Sequence, residues 1–126
     1  MIFVFGSNEA GIHGGGAAYF AMRRHGAIKG HGVGRQGNSY AIPTMNAEIE
    51  PLPLDKIAAY IHDFLDYARA HPAEEFQVTT VGCGIAKFTN EQMAPLFAGA
   101  PANCLFDEAW KPLLGPAKKY WGAYRS

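Results

Sequence analysis

Two glycine-rich stretches carry the chemistry open to this sequence. The first, "FGSNEAGIHGGGAA" (residues 5–18), places five glycines in fourteen positions directly after an apolar run. The second, "GCGIA" (82–86), follows "EFQVTTV". A plain turn needs one or two glycines. A loop without Cβ atoms lets phosphate oxygens reach backbone N–H groups, and a helix opening at that loop adds a favourable dipole. Tight turns and close helix–sheet packing are the other uses for such glycines. The residues alone leave both uses open. The common phosphate motifs do not fit: no G-K-[ST] is present, and "GIHGGGAAYF" lacks the GxGxxG spacing of a dinucleotide fold.

Side chains near these loops offer a few reactive groups. His13 lies inside the first glycine loop, where it could meet a ribose or act as a general base near neutral pH. Ordering its own turn is the alternative. Glu9 could supply a carboxylate if it turns inward, although a charged residue after a strand is more often solvated. Cys83 at a helix start could have a lowered pKa, or could pack beneath its loop as a small apolar group. Lys87 could neutralise phosphate or face water. The histidines, His13, His25, His31, His62 and His71, form no metal-binding motif, so no metal and no cofactor is expected.

The elements that must position these loops follow from hydrophobic periodicity. "IFVF" (2–5) reads as a buried strand, and "GAAYFAMRRH" (16–25) as a helix stopped by Gly26. "KGHGVGRQGN" (29–38) reads as a loop or irregular extended segment, and "SYAIPT" (39–44) as a strand. Within residues 54–72, Ile57, Tyr60, Ile61, Phe64, Leu65 and Ala68 form one stripe of a helix, with Pro72 after its end. A strand over 75–81 runs into the GCG turn. A short helix over 89–100, capped by Thr89 or Asn90 and disturbed by Pro95, and a strand at 103–106 complete the body. Residues 107–126 read as a C-terminal tail packed as turns on the domain. Its basic and aromatic residues, Lys118 to Arg125, could instead contact a partner. Alternating strands and helices predict one α/β domain over 1–126, with a mostly parallel or mixed sheet. In such sheets ligands bind beyond the carboxyl ends of strands, where both glycine loops fall.

Composition bounds the partners. Eleven basic residues balance eleven acidic ones, which disfavours a general nucleic-acid or membrane-surface binder. A local basic patch keeps nucleic acid open. Cys83 and Cys104 cannot build a disulfide framework. With no signal-peptide pattern and no apolar stretch of about 20 residues, the expectation is a cytoplasmic protein.

The order "VFGSN", "GGGAA" opening a helix, "SYAIPT", then "VGCGIA" before another helix resembles the macrodomain family, closest to its compact microbial or phage-like members. The resemblance spans roughly residues 2–100 and implies a three-layer α/β/α module that binds ADP-ribose. On that basis Asn8 would hydrogen-bond the distal ribose region, and Gly14, Gly15 and Gly16 would line that ribose and the adjacent phosphate. Gly82, Cys83, Gly84, Ile85 and Ala86 would wrap the diphosphate, and Phe88 would stack near ribose or adenine. The sequence departs from the hydrolytic branches. Ala17, Ala18 and Tyr19 stand where one branch carries an acid, and Met45 and Ala86 stand where the GCG branch carries a lysine and an acid. Binding through backbone amides needs none of those side chains. Three functions follow in order: binding of ADP-ribose, a related nucleotide diphosphate-ribose or an ADP-ribosylated macromolecule; ADP-ribosyl hydrolysis with Asn8, His13 or Glu9 in unorthodox roles; or a protein- or nucleic-acid-interaction domain.

Overall fold

The computed structural model describes residues 1–123. In chain order the elements are β1 (Ile2–Asn8), α1 (Gly16–Arg24), β2 (Gly34–Gln36), β3 (Ser39–Met45), α2 (Leu54–Ala70), β4 (Phe76–Val78), α3 (Asn90–Met93), β5 (Cys104–Asp107), α4 (Lys111–Leu114) and β6 (Lys119–Gly122). They build a mixed α/β fold on one six-stranded sheet ordered β2-β3-β1-β4-β5-β6. Every neighbouring pair is parallel except β2 with β3.

The central strand β1 is apolar on both sides because both sides are covered. Ile2 and Val4 enter the larger core with Tyr40, Ile42, Phe76, Val78 and Phe106. Phe3 and Phe5 enter a smaller one with Ala41 and the α1 residues Ala18 and Ala21. The register explains the grouping, since Val4 lies opposite Tyr40 and Phe5 opposite Ala41. The apolar stripe of α2 closes the larger core with Ile57, Ile61, Phe64, Leu65 and Ala68 buried. There Phe64, Phe76, Phe97, Phe106 and Trp110 meet in tilted and edge contacts. Each such buried ring contributes roughly 1.5–3 kcal/mol of transfer free energy.

Several elements differ from expectation. The helix expected over 89–100 is α3, closed by a reciprocal capping box between Thr89 and Gln92, followed by a 3-10 turn over Ala94–Phe97. Pro95 lacks the N–H that an α-helix would need there. The strand expected to reach residue 81 stops at Val78. Thr79 then turns its hydroxyl to the Val4 carbonyl, and the Val81 N–H closes a tight turn onto the Thr79 carbonyl. Residues 107–122 are more than turns on the surface. Asp107 completes β5, and Lys119–Gly122 add the edge strand β6, with the Trp121 indole N–H donating to the Val78 carbonyl at 2.9 Å. Tyr124 and Arg125 of the proposed contact tail lie outside the described residues.

The segment 29–38, expected as a loop or irregular extended segment, holds a short strand, β2. Buried Gln36 organises it, accepting from the Ile28 N–H and donating to the His31 carbonyl. Among the described residues, no helix is long and apolar enough to cross a membrane.

Candidate functional site

The parallel strands β1, β3 and β4 all end at one edge of the sheet, and a cavity of about 730 Å³ opens there. The chain leaves β1 at Asn8, whose side-chain amide closes the next turn by donating to the Ile12 carbonyl and accepting from the Ile12 N–H. The turn then runs against the glycine-rich 30–32 segment. A Cβ on Gly11 would lie 2.3 Å from the His31 nitrogen, and one on Gly32 would lie 2.0 Å from the Asn8 carbonyl oxygen. Ser7 donates its hydroxyl to the Gly32 carbonyl. These two glycines therefore exist for backbone-to-backbone packing.

Gly14 and Gly15 are not required for such packing, whereas Gly16 takes a left-handed φ of 58°. A Cβ on Gly14 would meet nothing within 4 Å, and one on Gly15 would meet only the Ile85 side chain, at 3.3 Å. All three line the cavity. Gly15 is the N-cap of α1 and offers no capping side chain, and the first turn holds no acidic residue. The opening N–H groups of a helix have no intrahelical partner. Among the described residues no hydrogen bond engages the N–H groups from Gly14 to Ala18.

Across the cavity the second loop is held by its own backbone, through Cys83 N–H to Thr80, Lys87 N–H to Gly84 and Phe88 N–H to Gly82. Gly82 takes a φ of 82°, which a side chain would strain. Gly84, Ile85 and Ala86 line the cavity, and no hydrogen bond among the described residues engages their N–H groups. Two runs of available backbone donors thus border one space. The α1 dipole makes that space favourable to negative charge.

Among the described residues no charged side chain lines the cavity. Of its lining residues only Cys83 ionises, and burial pushes its thiol up to about 11, so it is a neutral thiol at pH 7. A neutral thiol is a poor nucleophile. The three side chains considered for catalysis do not bring an acid or base here. Glu9 turns to α2, where it accepts from the Tyr60 hydroxyl at 2.5 Å and pairs with Lys56 at 3.1 Å. The Tyr60 hydrogen bond first, then Lys56, holds its carboxyl below the usual value. His13 is buried beneath the loop, edge-on to Phe5, with Nε2 3.1 Å from the His31 carbonyl oxygen. Asn8 lines the cavity, but its amide already holds Ile12.

Of the residues expected to bind ligand, Asn8, Gly14, Gly15, Gly16, Gly82, Cys83, Gly84, Ile85 and Ala86 all line this one cavity. Phe88 does not. It is half-buried and packs against the larger core. The sequence reading missed Ile12, Thr44, Ile49, Thr79 and Thr80, which also line the space. Several of these follow the ends of β3 and β4, so the strand-end rule applied to every parallel strand would have found them.

Comparison with known families, curated proteins and solved structures finds no match to this chain. The cavity's own chemistry therefore carries the functional argument.

Proposed function

We propose that this protein is a binding module for ADP-ribose or a related nucleotide diphosphate-ribose, free or attached to a macromolecule, built as a compact macro-like α/β/α domain. One observation carries the reading. Two runs of unengaged backbone N–H groups, Gly14–Ala18 and Gly84–Ala86, border the same cavity at the ends of parallel strands. A diphosphate matches that arrangement: it presents several acceptor oxygens and negative charge, and helix N-termini favour both. The volume lies within the range of roughly 300–1,000 Å³ usual for small-molecule sites.

Binding is favoured over hydrolysis because, among the described residues, the lining supplies no group that titrates near neutral pH. Neutral walls suit a module that holds a phosphate ester without attacking it. The thiols Cys83 and Cys104 are not joined in a disulfide, which supports a reducing compartment such as the cytoplasm. Calorimetric titration with ADP-ribose, with AMP as the control lacking a diphosphate, tests the reading. Saturable one-to-one binding that prefers ADP-ribose is expected. Absence of heat on folded protein would reject it.

A further inference from the structure

The zero net charge of the chain conceals a division. Residues 10–47 contain no aspartate or glutamate and four cations, Arg23, Arg24, Lys29 and Arg35, whereas residues 48–75 carry seven acidic residues against Lys56 and Arg69. The sheet separates the helices of the two segments. α1 packs on the face that bears Phe3, Phe5 and Ala41, and α2 on the face that bears Ile2 and Val4. Lys29 belongs to the α1 side, because Ala27 returns its N–H to the Ala21 carbonyl and is buried in the same small core. Arg35 is neutralised by Glu74 at 2.9 Å. Arg23, Arg24 and Lys29 are exposed and, among the described residues, pair with no acid. Their field reaches His25: burial first, then the charges of the amino terminus and Arg24, hold its imidazole below the ordinary value. Complementing the C-terminal dipole of α1 accounts for Arg23 and Arg24, but not for Lys29 or for the missing acids.

Flat and apolar groups stand among these cations. Tyr19, Ile28 and Val33 are all exposed. The Arg23 guanidinium lies 5.7 Å from the centre of the Tyr19 ring and donates to its hydroxyl at 2.9 Å, which leaves further N–H groups of the fork available. We propose that the α1 side is a docking surface for single-stranded nucleic acid, with phosphates on Arg23, Arg24 and Lys29 and an unpaired base on Tyr19. Cations interleaved with an aromatic ring are what such strands engage. An acidic polypeptide would use the cations but offers carboxylates and no base to stack on Tyr19. A duplex would also meet the cations, but its ring faces are already stacked on one another. The surface uses none of the backbone donors that border the cavity, so it stands independently of the diphosphate cradle.

The test is fluorescence anisotropy of a labelled single-stranded DNA dodecamer on the intact protein, titrated between about 50 and 200 mM salt. Three neutralised phosphates predict a slope of log K against log salt of about −2, at about 0.7 per charge, so affinity should fall roughly twentyfold over that range. Arg24→Gln combined with Lys29→Gln should bring the slope to about −0.7. Lys56→Gln combined with Lys111→Gln is the charge-matched control. Lys56 lies on α2, and Lys111 sits over Tyr120, which packs against the larger core on that same side. This control should leave the slope unchanged. Tyr19→Ala should weaken binding of the strand about fivefold or more, the scale of one lost stacking contact, and affect the matching duplex less. A thermal melt of each variant establishes that the protein is folded. No binding at about 50 mM salt, equal slopes for the α1-side and α2-side variants, or an effect of Tyr19→Ala no larger on the strand than on its duplex would overturn the proposal. So would a poly-glutamate peptide that binds as tightly as the strand, or displacement of the strand by saturating ADP-ribose.

Discussion

Gly84→Glu is the most direct probe of the cradle, because the fold should tolerate it. A Cβ at Gly84 meets nothing within 4 Å, and its φ is not among the left-handed ones. Stability should change by no more than about 1 kcal/mol, with a gain expected from the stiffer unfolded chain. The ligand would experience a new charge. At about 5 Å and an effective dielectric of about 20–40, a carboxylate and one phosphate charge repel by roughly 1.7–3.3 kcal/mol. That corresponds to a loss in ADP-ribose affinity of about 20- to 200-fold, at about 1.4 kcal/mol per factor of ten. Gly84→Gln has nearly the same shape and no charge, so the ratio between the two variants isolates electrostatics. Raising ionic strength should narrow that ratio. Calorimetric titration beside a thermal melt reads both quantities. A Glu variant that melts like the parent and binds ADP-ribose with unchanged affinity would refute the placement of phosphate at this loop.

Other outcomes follow from the same geometry. Gly32→Ala should cost more than about 3 kcal/mol in a denaturant melt, since its Cβ would sit 2.0 Å from the Asn8 carbonyl oxygen; Gly14→Ala, with open space around it, is the control. Alkylation of Cys83 by iodoacetamide should be far slower in folded protein at pH 8 than in denaturant, because the native thiol titrates only near 11; equal rates would contradict that shift. The folded carboxyl of Glu9 is depressed, so its stabilising effect is complete above the ordinary value of 4.5 and disappears as pH falls through the depressed one. The melting-temperature gap between wild type and Glu9→Gln should accordingly be constant near neutrality and close below about pH 4. A gap independent of pH would show that the Tyr60–Glu9–Lys56 contact owes nothing to charge.

What the sequence made legible is the part written in periodicity. The α2 stripe reads correctly because five of its six positions are buried and the sixth, Tyr60, reaches across to Glu9. That the two glycine loops come together was also legible, since glycine loops after apolar runs mark strand ends, and both loops border one cavity. Short elements were not. β2 and β6 span three and four residues, too few to show alternation, and their pairing depends on neighbours distant in sequence. The roles of the reactive side chains stayed open for the same reason. Whether Glu9 turns inward depends on Lys56 and Tyr60, and whether His13 is exposed depends on the crossing of Gly11 with the 30–32 segment. Neither partner is near in sequence.

A cradle made of main chain has an unusual consequence for mutagenesis. Alanine scanning deletes side chains, and at Gly14, Gly15 and Gly84 there is nothing to delete. Such a scan would report the proposed cradle as silent and would credit its effects to the packing around it. The site becomes visible only when bulk or charge is added, residue by residue, along two short loops. The same property leaves side chains elsewhere on the molecule free to be exchanged while the donors stay in place, because each donor belongs to the fold itself.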